Sequence, residues 1–187
     1  MYTKISLLKH PTSEDWAFVK QCALVTAGKK MKNEPDLIWK QAILRARHSP
    51  IRTMQFAFYI EGVPYWVSTH LVRHVHAQPF VRSQRNDRQD KYDRNEARQD
   101  APVDMIWYMN AEELMTIAEK RLCRQTAEET MEVAREMCRL VEEQCPEFKG
   151  FLAPVCVKLK VCNEMRPCGV GRRLQSKDEK DSENAKD

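Results

Sequence analysis

The sequence predicts a single mixed α/β (α+β) domain, on three observations. At 187 residues the chain is long enough to bury a core of its own. The run MQFAFYI, residues 54–60, alternates apolar and less apolar positions and is rich in aromatic and β-branched side chains, as a strand requires. Between 111 and 144 the apolar residues fall instead at helical spacing. Composition agrees, with 42% hydrophobic and 31% charged residues.

Taken in order, MYTKISLL reads as a short edge strand closed by His10-Pro11. Thr12 or Ser13 caps a helix carrying Glu14 and Asp15 at its positive end and Trp16, Val19, Ala23 and Leu24 on one face, up to Gly28. Pro35 fits the first turn of a second helix, DLIWKQAILRARH, which stops before Pro50. After the strand at 54–60, Glu61-Gly62 reads as a turn and Pro64 opens a helix that delivers Arg73 and His74. PFVRSQ is a candidate second strand. The stretch DRQDKYDRNEARQDAP is polar, and its recurring Arg88, Lys91 and Arg94 read as a solvated face. Helices follow over 111–121 and 126–144, with a stripe of Leu114, Ile117, Ala118, Leu122, Met131, Ala134, Met137, Cys138 and Val141, and Cys145-Pro146 ends the second. A single folded domain is placed at 1–170, and the charged remainder, 171–187, reads as a disordered tail.

Whole classes of function are disfavoured. Five glycines and no GxGxxG or GxxxxGK speak against a glycine-rich phosphate cradle. The net charge of +4 permits a phosphorylated ligand without demanding nucleic acid. No apolar run reaches membrane-spanning length and the N-terminus does not resemble a signal peptide. Seven cysteines, an odd number, then point to reduced thiols and a cytoplasmic setting. No serine or cysteine lies in a hydrolase signature.

Three groupings carry chemistry. Arg73-His74 with Ser83 and Arg85 offers rigid guanidinium forks and a hydroxyl, a donor set suited to phosphate. Surface pairing with nearby acids is the competing reading. His70, His74 and His76 lack the glutamate of a zincin, and no metal is expected there. Cys156, Cys162 and Cys168 recur at intervals of six with Cys145 upstream, a spacing of neither a zinc knuckle nor a ferredoxin, so buried thiols are expected and a Cys145–Cys156–Cys162–Cys168 metal site is the alternative.

Several of these blocks resemble the flavin-dependent thymidylate synthases, the ThyX family. Its signature RHRxxSxNExSxRY aligns with RHVHAQPFVRSQRN, in which Arg73, His74, Ser83 and Arg85 match. Val75 replaces the second arginine, Gln78 the first serine, Phe80-Val81 the asparagine-glutamate pair and Asn86 the tyrosine. Upstream, HSPIRTMQFAFYIEGVPYWVSTHLVRH resembles the family's histidine, proline, strand and helix in order. NAEELMTIAEKRL resembles the NARSLxxFLxLR block, with Asn110 and Arg121 in register and Glu112 in place of an arginine. NEARQDAP supplies Arg98, EEQCPEFKGFL resembles the segment that follows, and Gln125 stands where the family often has a flavin-contacting histidine.

The resemblance implies a ThyX-like fold, a small and mostly antiparallel sheet packed with helices, assembled as a homotetramer with active sites between subunits. It implies FAD near His48, Arg73, His74 and Asn110. It implies the nucleotide dUMP, or a related pyrimidine nucleotide, held by Ser83, Arg85, Arg98 and Arg121, with Ser83 and Arg121 closest to the chemistry. The implied reaction is reductive C5 methylation, with methylenetetrahydrofolate as carbon donor and NADPH as reductant. A non-catalytic nucleotide- or nucleic-acid-binding protein on the same scaffold is the alternative.

Overall fold

The computed structural model describes residues 3–88, 93–171 and 173. Lys91, the start of the expected first strand and, apart from residues 171 and 173, the expected tail lie outside them.

One four-stranded antiparallel sheet organises the chain, in the order β1-β2-β4-β3. Its strands are β1 (Lys4–Lys9), β2 (Gln55–Pro64), β3 (Gln78–Val81) and β4 (Pro102–Asn110). The mixed architecture is as the sequence predicts, but two strand assignments need correction. Glu61-Gly62 does not end β2. The strand runs through a bulge between Ile60 and Val63, where Gly62 takes a left-handed φ of 68° and donates its N–H to Asp104 Oδ1 at 2.9 Å. β4, for which the sequence reading assigned no element, pairs with both β2 and β3. Val103, Met105, Trp107 and Met109 alternate onto its buried face, and in register they meet Val63, Ile60, Phe58 and Phe56.

Helices cover that face. α1 (Ser13–Thr26) starts with a capping box in which the Thr12 hydroxyl accepts from Asp15 N–H and the Asp15 carboxylate accepts from Thr12 N–H. Thr12→Ala is expected to cost about 1 kcal/mol, read as a lower urea midpoint at unchanged slope. α2 (Leu37–Arg45) begins after Asp36 rather than at Pro35, because the Asp36 carboxylate caps Trp39 N–H. It also stops short of His48, since Arg47 takes a left-handed φ of 49°. α3 (Tyr65–Leu71) is short. α4 (Ala111–Arg121) and α5 (Glu128–Gln144) pack against each other, with α5 also lying along β1. At the far end Phe148 meets Phe56 edge-on at 5.4 Å and Trp16 at 6.2 Å, while the Trp16 indole N–H donates to the buried Glu147. α6 (Val155–Lys158) is a single turn. Among the described residues no helix is long and apolar enough to cross a membrane.

Candidate functional site

The end of one helix and the start of another lie close together on the sheet's helical side. α3 ends at Leu71, and the turn that follows, closed by His74 N–H donating to Leu71 C=O at 3.1 Å, places His74 over Trp107 of β4. α4 begins opposite, capped by the Asn110 side chain, which accepts from Glu113 N–H at 2.9 Å. Glu113, Ile117 and Arg121 recur every fourth residue and so follow one flank of α4.

The two ends of that flank grip one imidazole. Arg121 Nε lies 2.9 Å from His74 Nε2, and Glu113 Oε1 lies 3.2 Å from His74 Nδ1. A guanidinium can only donate, so Nε2 must accept. The ring proton is then on Nδ1 and is donated to the Glu113 carboxylate. His74 is held as a neutral bridge between a buried acid and a half-buried base. Arg121 is fixed further by donating from Nη2 to His70 C=O at 2.6 Å.

Positive charge is left unmatched beside this bridge. Among the described residues neither Arg121 nor Arg73 makes an ion pair with an acid. Burial, reinforced by the like charge of Arg73, pulls the Arg121 guanidinium below its ordinary value. Both arginines line a cavity of about 360 Å³ together with His70, His74, Lys120, Thr126 and Glu164. Two adjacent guanidinium groups, one desolvated and lacking a carboxylate, make a receptor for an anion with several oxygens. Glu113 lines a second cavity, of about 400 Å³, with Asn110, Arg52, His76 and Glu112. The His74–Glu113 pair therefore stands between the two. A larger cavity, of about 670 Å³, is lined by Asp100, Glu129, Glu132 and Glu136 against one lysine, the wrong sign for phosphate.

The remaining sequence-predicted residues are not gathered into these cavities within one chain. Ser83 and Arg85 lie in the loop after β3, where the Ser83 hydroxyl accepts from Arg85 N–H at 3.3 Å and Arg85 pairs with Asp87 at 2.6 Å. Arg98 pairs with Asp100 at 2.8 Å and is exposed. His48 is exposed ahead of the short helix Ser49–Thr53 and lines neither cavity. His74, expected beside a flavin, has both ring nitrogens engaged by protein, so what it offers a ligand is a held Arg121. Gln125 donates to Arg166 C=O at 2.5 Å, tying down the chain beyond α6. Glu112 pairs with Arg52. Sequence reasoning missed Glu113 and Arg52.

The family model described as "Thymidylate synthase complementing protein" matches residues 94–147, the segment that holds β4, α4, Asn110, Glu113 and Arg121. The crystal structure of thymidylate synthase X from Helicobacter pylori with FAD and dUMP superposes with a TM-score of 0.65 at 13% identity, covering 80% of this chain and 99% of that one. Residues 94–147 thus resemble the ThyX family, and the fold is shared over most of the chain. No curated protein matches its sequence. At 13% identity the superposition establishes the shared fold, and the chemistry has to be argued from the site.

Proposed function

We propose that this ThyX relative is a flavin-dependent thymidylate synthase-like enzyme that methylates the C5 position of dUMP, or of a related pyrimidine nucleotide. Methylenetetrahydrofolate serves as carbon donor and NADPH as reductant. The observation that carries the reading is the pair Arg73 and Arg121, which line one cavity and have no acid partner among the described residues, with Arg121 inside the segment that resembles the family. The related enzyme from Helicobacter pylori was solved with FAD and dUMP, which supports the same two ligands here.

The donor set fits a flavin dinucleotide. Arg73 is exposed and without an acid partner among the described residues, which suits a pyrophosphate, and Asn110 lines the neighbouring cavity with Arg52. Bound there, the flavin supplies the hydride chemistry that no side chain of the protein can. The chain's own residues bind and orient. Arg121 receives the nucleotide phosphate, and its Nη1, which makes no hydrogen bond among the described residues, is the donor left for it. His74 keeps that guanidinium in one rotamer, and Glu113 keeps His74 in one tautomer. Ser83, Arg85, Arg98 and His48 would join from a neighbouring copy in a homotetramer, which accounts for their lying outside the cavities of a single chain.

The purified protein is expected to absorb in the flavin region and to change that spectrum when dUMP is added. A colourless protein that takes up no flavin on titration would rule the reading out. If dUMP leaves the spectrum of a yellow protein unchanged while another pyrimidine nucleotide shifts it, only the choice of nucleotide moves.

A further inference from the structure

The chain beyond α6 has little apolar surface to hold it. Leu159, Val161 and Met165 are exposed at 67%, 52% and 101%, and residues 161–163 and 167–168 form no regular structure. It nevertheless returns to one place, the turn between α4 and α5. Lys120 pairs with Glu164 at 3.5 Å, and Gln125 donates to Arg166 C=O. A segment with so small a core needs another fastening.

Four cysteines lie in the segments that meet where it docks. Cys123 lies in the α4–α5 turn, Cys156 in α6, and Cys162 and Cys168 in the returning chain. Gly171 packs between two of them. A Cβ there would sit 3.4 Å from Cys156 Cβ and 3.5 Å from Cys162 Cβ, contact distances, so both cysteines flank one point. Cys123 lines the same cavity as Glu164, and Gln125, two residues from Cys123, holds the carbonyl of Arg166, two residues from Cys168. Cys145, which the spacing alone grouped with Cys156, Cys162 and Cys168, is elsewhere. It is buried with its Sγ 3.7 Å from His10 Nδ1, and burial, then Glu147, lifts its thiol to about 12.

We propose that Cys123, Cys156, Cys162 and Cys168 form a four-thiolate site for a zinc ion that fastens the C-terminal segment to the α4–α5 turn. The donor set is that of structural zinc, four sulfurs drawn from separate parts of the chain. Among the described residues no three donors already stand as a formed metal site, so the sulfurs close to about 2.3 Å from the ion as it binds. Each thiol gives up its proton on binding. Because Cys123 and Glu164 also line the cavity of Arg73 and Arg121, the ion would fix one wall of that cavity. The assignment does not depend on the flavin reading.

The test is elemental analysis of the full-length chain, expressed in zinc-supplemented medium and passed through gel filtration. About one zinc per chain is expected. Cys156→Ser and Cys123→Ser should each lower occupancy at least tenfold, while Cys145→Ser and Cys22→Ser keep it. Cobalt(II) titration of the metal-stripped wild-type chain gives a readout that does not depend on variants folding, and an intense thiolate-to-cobalt charge-transfer band is expected. A chain with no zinc and no such band overturns the proposal. So does full zinc occupancy in Cys123→Ser, or a disulfide between Cys156 and Cys162 in the freshly purified protein.

Discussion

Arg121→Ala is expected to weaken dUMP binding by about 100-fold with the fold intact. A hydrogen bond to a charged partner contributes about 1.5–3 kcal/mol, roughly 10- to 150-fold in affinity, and Arg121 sits at the upper end because it is half-buried beside a second cation. Binding followed by calorimetry or by flavin absorbance checks the affinity, and circular dichroism checks the fold. Arg121→Lys should recover little, since an ammonium cannot contact His74, His70 C=O and a phosphate as a planar fork does. Affinity unchanged in Arg121→Ala would mean that the cavity of Arg73 and Arg121 is not the nucleotide site. Arg85→Ala should also weaken binding, although Arg85 pairs with Asp87 within its own chain. If the two arginines act from different subunits, mixing the variants regenerates wild-type sites, up to roughly a quarter of the total in a randomly mixed symmetric oligomer. No recovery on mixing would place both arginines in one subunit's site.

The longer helices were legible because each has a local cause, whereas the single turn α6 was not assigned. Thr12 and Asp15 announce the start of α1, and the apolar stripe of α4 and α5 is long enough to fix its period. β4 was overlooked although its alternation of Val103, Met105, Trp107 and Met109 is regular, because two of its four inward residues are methionines, which carry no strand preference. It follows a long polar stretch and runs directly into α4, with no turn residues to mark its end. Gly62 misled in the opposite direction. A glycine after a strand signals a turn or a bulge equally well, and only the partner strand, through Asp104, decides which.

The site was legible where its residues are chemically conspicuous. Arg73 and His74 stood out as polar residues within apolar surroundings and Arg121 through the block NAEELMTIAEKRL, and the structure brings them together. Glu113 did not, because in NAEEL it is one of two adjacent acids in the first turn of a helix, where carboxylates are favoured in any case. Consecutive residues on a helix point about 100° apart, so Glu112 turns out to Arg52 and Glu113 turns in to His74. Its four-residue spacing from Ile117 and Arg121 was the available signal.

Glu113 also gives the second large effect. Glu113→Ala is expected to destabilise the chain by about 2 kcal/mol, because it leaves the His74 Nδ1–H without an acceptor in a site where His74 and Glu113 are 9% and 6% exposed. Freed from that acceptor, the imidazole no longer presents Nε2 to Arg121 in one orientation, and dUMP affinity should fall about tenfold although residue 113 touches no ligand. Glu113→Gln separates the two roles. Its amide oxygen still accepts from Nδ1–H and its volume is nearly that of glutamate, so stability and affinity should both return most of the way toward wild type. A purely structural Glu113 would behave differently: Glu113→Ala would unfold at lower denaturant yet bind dUMP as tightly as the parent. That pattern would break the link from the buried carboxylate through His74 to Arg121 while leaving the anion site itself in place.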